Sequence, residues 1–110
     1  MIEQQGPALI WCPFPDSDSA EQAAGMLLDE GLIACANLVP GLTSLYVWQG
    51  QRYRDSEIGV LMKTDAAVLE RAIARVEALH PYDTPAVLGW RCDAAAPATA
   101  AWLSRLIGPA

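Results

Sequence analysis

The sequence is poor in basic side chains and in histidine. Its 110 residues include seven lysines and arginines, 13 acidic residues and a single histidine, His80, so the formal net charge is −6 at neutral pH. A surface with this charge repels a phosphate backbone, and we therefore expect no nucleic acid partner. Negative charge attracts cations weakly, but it also serves solubility in many proteins without any ligand.

Long apolar runs are absent as well. No run approaches the ~20 residues that a membrane span requires, and the start, Met1-Ile-Glu-Gln-Gln, lacks the basic and apolar regions of a secretory signal. The three cysteines, Cys12, Cys35 and Cys92, are odd in number and far apart, which argues against a disulfide framework. We therefore expect a cytoplasmic protein without membrane insertion.

Familiar catalytic patterns are missing too. The chain has no glycine-rich phosphate loop and no evident Ser-His-Asp arrangement, and its one histidine has no evident nucleophile beside it. Asp16, Asp18 and Glu21 form an acidic cluster, but their place at a helix start is explained by capping and the helix dipole. We expect no enzymatic activity.

The apolar pattern that is present predicts the order β-α-β-β-α-β followed by a helix. Asp18 with Glu21 resembles a capping box for the first helix, and Pro40-Gly41 suits a bulge inside the second strand. The predicted strands cover 8–12, 32–48, 52–63 and 86–92, and Pro13 and Pro15 close the first of them. A reversal at 49–51 joins the second and third strands. The first helix covers 19–30, the second follows a cap at Asp65 and ends near Leu79, and the third covers 99–107. This order indicates an α+β, ferredoxin-like sandwich in a single domain over residues 1–110, with a long hairpin and an extra C-terminal helix.

The long hairpin is apolar on both of its faces, although two helices can cover only one face of a four-stranded sheet. One face carries Leu45, Val47, Ile58, Val60 and Met62, and the other carries Tyr46 and Trp48. A second surface must cover the other face and the projecting strand edges. We therefore predict subunit association.

Several motifs resemble those of the CutA family, and the resemblance runs along nearly the whole chain. The most specific are Glu30-Gly-Leu-Ile-Ala-Cys-Ala-Asn37, Pro40-Gly41, Ser44-Leu-Tyr-Val-Trp-Gln-Gly50, Glu57, Lys63-Thr64 and His80-Pro81-Tyr82. The resemblance implies a ferredoxin-like fold assembled as a tight homotrimer, similar in architecture to the PII signalling proteins. It also implies a role in tolerance to divalent cations and no established enzymatic reaction.

One departure from the family concerns copper. The resemblance implies a copper site of a cysteine, a histidine and a glutamate, to which Cys12, Leu79 and Ala86 correspond here, so only the cysteine is present. Cys12 and His80 are the metal-ligand candidates, because thiolate and imidazole suit soft transition metals. The alternatives are a buried structural thiol and a histidine that bonds to the backbone or to a neighbouring subunit.

A second set of residues is predicted to line a cleft or a subunit interface. Aromatic walls with a few polar groups are typical of ligand pockets, and aromatic anchors are typical of obligate interfaces. The set comprises Cys35, Tyr46, Trp48, Tyr53, Glu57, Lys63 and Tyr82.

Two functions remain open from the sequence. The first is a CutA-like homotrimer in the response to divalent metal ions, which needs no cofactor and binds copper or another divalent cation weakly. The alternative is a PII-like trimer that senses a small molecule or docks a partner protein.

Overall fold

The computed structural model describes residues 5–108 and contains one four-stranded antiparallel sheet in the order β2-β3-β1-β4. The strands are β1 (Pro7–Phe14), β2 (Cys35–Trp48), β3 (Gln51–Asp65) and β4 (Leu88–Arg91), and the helices are α1 (Ser17–Asp29), α2 (Leu69–Leu79) and α3 (Pro97–Ser104). This confirms the predicted α+β, ferredoxin-like fold with its extra C-terminal helix. The predicted absence of a secretory signal concerns residues 1–5, of which only Gln5 is in the described range. The last two residues of the predicted domain also lie outside this range.

The first strand is longer than predicted, because Pro13 does not end it. β1 continues to Phe14, which pairs with Ile58 of β3. The pairing of β4 with β1 stops at Trp11, so beyond that residue β1 has a strand on one side only. A proline without an N–H group is tolerated at such an edge.

Asp16, rather than Asp18, caps the first helix. Its side chain accepts a hydrogen bond of 2.8 Å from the backbone N–H of Ser19, and its backbone is extended, as an N-cap requires. The helix therefore starts two residues earlier than predicted. It buries Ala20, Ala23, Ala24 and Leu27 at helical spacing, whereas Leu28 is 45% exposed.

The second strand starts at Cys35, three residues later than predicted, because residues 30–34 turn the chain out of α1. Gly31 takes a positive φ of 70°, and the N–H of Leu32 donates back to Leu27 O at 3.0 Å. This closes the helix end with the left-handed conformation that glycine favours. The long strand that follows is thereby aimed at β3.

The hairpin of β2 and β3 has the predicted bulge and a two-residue loop. Val39 pairs with Gly59 and Leu42 with Glu57, so β2 carries one extra residue at Pro40-Gly41. Gln49 and Gly50 both have positive φ, 52° and 78°, which suits a tight hairpin loop. Gln51 belongs to β3 rather than to the predicted reversal.

The second half of the chain follows the prediction with shifted ends. Asp65 accepts a hydrogen bond from Ala67 N at 2.9 Å and caps a short 3-10 turn that leads into α2. β4 has four residues instead of the predicted seven, and α3 begins at Pro97 and gives way to a 3-10 turn at 105–107. Proline at the first helical turn explains the early start.

The main core lies between the sheet and the helices α1 and α2. It is built from the sheet residues that face these helices and from the buried faces of the helices themselves; the largest members are Ile10, Phe14, Leu27, Ile33, Val60, Met62 and Val76. Leu103 of α3 is buried outside this cluster, and α3 packs against β1 and β3. The opposite side of the sheet, which we call the second face, carries Leu9, Trp11, Val39, Leu88 and Trp90.

Candidate functional site

The two metal-ligand candidates from the sequence converge on one carbonyl oxygen. His80 Nε2 lies 2.8 Å from Pro13 O, and Cys12 Sγ lies 3.6 Å from the same atom. Both donors come from places that the fold fixes, since Cys12 is in β1 and His80 ends α2. Each of the two groups therefore uses a proton to bond to the backbone.

The hydrogen bonds of His80 define its tautomer. The N–H of Tyr82 donates to Nδ1 at 3.1 Å, so Nδ1 carries no proton and Nε2–H donates to Pro13 O. The ring also stacks on Phe14 with centroids 4.2 Å apart, and His80 is 7% exposed. Neither nitrogen is left with a free lone pair for a metal.

Cys12 is a protonated thiol on the core side of β1. Burial raises its pKa from 9.0 to about 12, and the negative charge of Glu57 adds to this rise. Because the thiolate is the metal ligand, a raised pKa works against coordination. Cys12 packs within the core. This agrees with the alternative stated from the sequence, in which Cys12 is a buried structural thiol.

The cleft residues Glu57 and Tyr82 meet beside this pair. Tyr82 Oη donates a hydrogen bond of 2.8 Å to Glu57 Oε2, and the Glu57 side chain is 9% exposed. Burial first, and then the bond to Glu57, raises the pKa of Tyr82 above its ordinary value. The buried carboxylate is thus held by a phenol from the His80-Pro81-Tyr82 segment.

The hairpin aromatics form a second, more exposed group. Tyr46 and Tyr53 pair across the strands and stack with centroids 5.3 Å apart, and Tyr46 Oη donates to Asp55. That hydrogen bond is the main cause that raises the pKa of Tyr46 to about 12. Trp48 lies further along, next to the hairpin loop, and is 48% exposed.

Cys35 and Lys63 form a third group, separate from the first two. They are opposite each other in the register of β2 and β3, and Lys63 Nζ lies 3.8 Å from Cys35 Sγ. Asn37 Oδ1 accepts a hydrogen bond from Lys63 Nζ and a second one, at 3.7 Å, from the thiol of Cys35. Lys63 is the only lysine of the chain.

The structure thus places the predicted residues in three neighbourhoods, and sequence spacing indicated none of their partners. The sequence did not indicate Pro13 O, Asp55 or Asn37 as partners. Asn37 could have been found only from the register of β2 and β3, which brings Lys63 next to Asn37, 26 positions away, and to Cys35, 28 positions away. Within residues 5–108 no three His, Cys, Asp or Glu side chains lie close enough together to hold a metal ion. A shallow groove on the hairpin, lined by Leu45, Tyr46, Val47 and Arg52, contains neither metal candidate.

Comparison with known proteins agrees with this architecture along nearly the whole chain. The family model described as CutA1 divalent ion tolerance protein matches residues 8–105. The chain belongs to the CutA1 family. No helix in the described part of the chain has both the length and the apolarity to cross a bilayer.

Relatives in the CutA1 family share about two fifths of the aligned residues. The divalent-cation tolerance protein CutA of Thermus thermophilus is 43% identical over 80 residues, which is 73% of this chain and 78% of that protein. The protein of the same name from Pyrococcus horikoshii is 41% identical with the same coverage.

Solved CutA1 structures match the fold closely. The divalent ion tolerance protein CutA1 from Ehrlichia chaffeensis superposes with a TM-score of 0.88 at 28% identity, over 96% of this chain and 98% of that one. CutA from Xylella fastidiosa superposes with a TM-score of 0.87 at 37% identity, over 92% and 97% of the two chains.

Proposed function

We propose that this CutA1 chain acts in cellular tolerance to divalent cations, as a homotrimer and without catalytic turnover. The observation that carries the proposal is the family match over residues 8–105, together with relatives named divalent-cation tolerance proteins at 41% to 43% identity. The polar groups of the candidate site support the absence of turnover, because their hydrogen bonds are directed at one another and at the backbone.

Exposed apolar side chains on the edge strands support the trimer. On the second face, Val39 of β2 is 43% exposed, and Leu88 and Trp90 of β4 are 65% and 46% exposed. Leu45 and Val47 on the hairpin are each 70% exposed. Apolar surface of this extent on a chain of 110 residues is typical of subunit interfaces.

The residues present do not fit a copper centre built on Cys12 and His80. Both nitrogens of His80 are engaged, and burial keeps the Cys12 thiol protonated. Leu79 packs against the core, and Ala86 supplies no ligand atom at the remaining family position. Weak cation binding at Cys12 and His80 stays a prediction, and it requires a rearrangement of this corner.

A growth assay tests the proposed role in tolerance. The chain is expressed in a bacterium that lacks its own CutA-type protein, and growth is measured across a series of Cu²⁺ and Zn²⁺ concentrations. We expect growth at metal concentrations that stop cells with an empty vector. Equal growth of the two strains would remove the proposal.

Calorimetry tests direct binding separately. The reduced protein is titrated with Cu²⁺ and with Zn²⁺, and the Cys12→Ser variant is titrated in parallel. Weaker Cu²⁺ binding by the variant would support Cys12 as a ligand, whereas unchanged isotherms would exclude it. No heat with either metal would leave tolerance to an indirect mechanism.

We also propose that the protein works in the cytoplasm. All three thiols, Cys12, Cys35 and Cys92, are free. Free thiols suit a reducing compartment. Fractionation of cells that express the tagged chain checks this, and recovery with an exported or membrane fraction would contradict it.

A further inference from the structure

We propose that each protomer of the trimer pairs the buried carboxylate of its Glu57 with a guanidinium, Arg52 or Arg54, from the hairpin of a neighbouring copy. This inference rests on the proposed trimer and deepens it, because it names the surfaces and the charged groups that meet. The contact places the exposed hairpin of one copy on the second face of the next.

Glu57 is a buried carboxylate that pairs with no cation in the described part of the chain. The residue is 9% exposed, and the neutral phenol of Tyr82 donates a hydrogen bond to it at 2.8 Å. The ion pair found among the described residues lies elsewhere and joins Arg75 to Glu30. Since a carboxylate withdrawn from water without a cation is unfavourable, Glu57 calls for a positive partner from another molecule.

The surroundings of Glu57 strengthen this requirement. Burial raises the pKa of the Cys12 thiol, and the negative charge of Glu57 raises it further. Burial and the hydrogen bond to Glu57 raise the pKa of Tyr82, and the charges of Glu57 and Asp55 add to this rise. Two carboxylates thus act on the same corner of the sheet, and no described cation forms an ion pair with either.

The hairpin carries cations that have no acidic partner within the described residues. Arg52 and Arg54 lie on β3, are exposed and form no ion pair there. No acidic residue occurs between positions 31 and 54, so this part of the hairpin is positive in a chain with a net charge of −6. The two arginines therefore complement an acidic surface on another molecule.

The same side of the hairpin is also apolar and uncovered. Arg52 is opposite Val47 in the register and Arg54 is opposite Leu45, so these four side chains share one face, which we call the hairpin face. Leu45 and Val47 are each 70% exposed, and both arginines are exposed as well. No helix of the same chain covers this face.

The second face of another copy complements the hairpin face in charge and in spacing. Asp55 and Glu57 alternate with the two arginines along β3, so they lie on the opposite side of the strand, which is the second face. Residues two positions apart in a strand are separated by about 6.8 Å, which applies to the two acids and to the two arginines alike. One guanidinium can therefore reach Glu57 while the other reaches Asp55, and the arginine fork matches a carboxylate.

This arrangement also agrees with a ring of three copies. A contact between two different surfaces can close a ring of three, whereas a surface that contacts its own copy gives a dimer. The hairpin face on the second face is a contact of the first kind. A small cation bound to Glu57 would neutralise the carboxylate but would leave the hairpin face uncovered.

Subunit exchange of the full chain tests the pairing. Unlabelled and isotope-labelled trimers are mixed, and native mass spectrometry follows the appearance of mixed trimers. We expect Arg52→Gln or Arg54→Gln to exchange at least roughly tenfold faster than wild type, because the change leaves Glu57 buried and unpaired. Arg71→Gln, which removes an exposed arginine of α2, is the control and is expected to exchange at the wild-type rate.

Glu57→Gln assigns the effect to the ion pair. In this background the amide needs no cation, so we expect the same arginine substitution to change the exchange rate by less than about twofold. An equal factor in both backgrounds, or no effect of either hairpin arginine, would overturn the pairing while the trimer stands. A wild-type monomer would instead refute the proposed trimer and this contact with it.

Cross-linking decides the question if Glu57→Gln does not fold. The photoreactive residue p-benzoylphenylalanine replaces Val47 on the hairpin face, and isotope-labelled mixed trimers identify links between copies. We expect links to second-face peptides that contain Glu57 or Trp90. Links to α1 or α2 alone, or a trimer without any link between copies, would overturn the proposal.

Discussion

Gly59 lies where the sheet leaves no room for a side chain. A Cβ atom there would lie 2.3 Å from Trp11 Cη2 and 2.8 Å from Leu42 Cδ1. We expect Gly59→Ala to lower the free energy of unfolding by about 1–3 kcal/mol, because the indole must move off the second face. Urea denaturation measures this change.

The control for this prediction is Gly25→Ala. Gly25 lies inside α1, and a Cβ there meets nothing within 4 Å. Alanine is the better helix former, so this variant is expected to raise stability by roughly 0.5–1 kcal/mol. Equal effects of the two variants would show that the contact with Trp11 does not constrain Gly59.

Cys12 gives a prediction for alkaline pH. The unfolded thiol loses its proton near pH 9.0, whereas the folded thiol keeps it until about pH 12. The folded state then binds more protons, so the part of the stability that Cys12 contributes is complete below pH 9 and is lost as the pH rises through this range. We expect the stability deficit of Cys12→Ala, measured against wild type, to shrink between pH 9 and pH 11.

Val60→Ala is the matched variant for this titration. Val60 is opposite Cys12 in the register and is equally buried, but it carries no titratable group. Its deficit relative to wild type is expected to stay constant over the same pH range. A Cys12→Ala deficit that also stays constant would mean that the thiol ionises alike in both states.

The sequence identified most residues of the candidate site but not their partners. Cys12, His80 and Tyr82 were singled out by type, yet the fold decides that His80 meets a carbonyl 67 positions away and that Tyr82 meets Glu57. A lone histidine looks the same in a sequence whether its nitrogens are free or bonded. The hydrogen-bond partners of each polar group can therefore be identified only in the three-dimensional structure.

Among the elements, the start of α1 offers the clearest test. Asp16 accepts the capping bond from Ser19, whereas Asp18 lies exposed in the first turn. We expect Asp16→Ala to lower the free energy of unfolding by about 1 kcal/mol. Asp18→Ala is expected to cost only about 0.3 kcal/mol through the helix dipole. A larger loss in Asp18→Ala, measured by thermal or urea unfolding, would restore the cap that the sequence pattern indicated.

The order and type of the elements were predictable, whereas several ends were not. Periodicity located both main helices, since Ala72 and Val76 are buried at the expected spacing. The predicted end of β1 was wrong, because the strand continues through Pro13 to Phe14. A proline is excluded from a strand only where a neighbouring strand needs its N–H group. The ends of β2 and β4 depend on turns and on strand pairing, which local composition does not encode.

At the scale of the whole molecule, one chain is an elongated body of 48 × 25 × 22 Å. The hairpin accounts for part of this length, since every residue from Leu45 to Ser56 is exposed. A two-stranded ribbon with apolar side chains on both faces is marginal by itself in water. The shape of the single chain therefore supports the same association that the two apolar faces of the hairpin predicted.

The last prediction concerns this association. We expect the wild-type protein to sediment as a trimer at micromolar concentration and Trp90→Arg to shift it toward the monomer, because Trp90 is 46% exposed on the second face of edge strand β4. Met26→Glu is the control, since Met26 is equally apolar and 43% exposed but lies on α1. If Trp90→Arg stayed trimeric, Trp90 would not hold the contact, and dissociation of Met26→Glu alone would place the contact on the helical side. A well-folded wild-type monomer would refute the trimer itself.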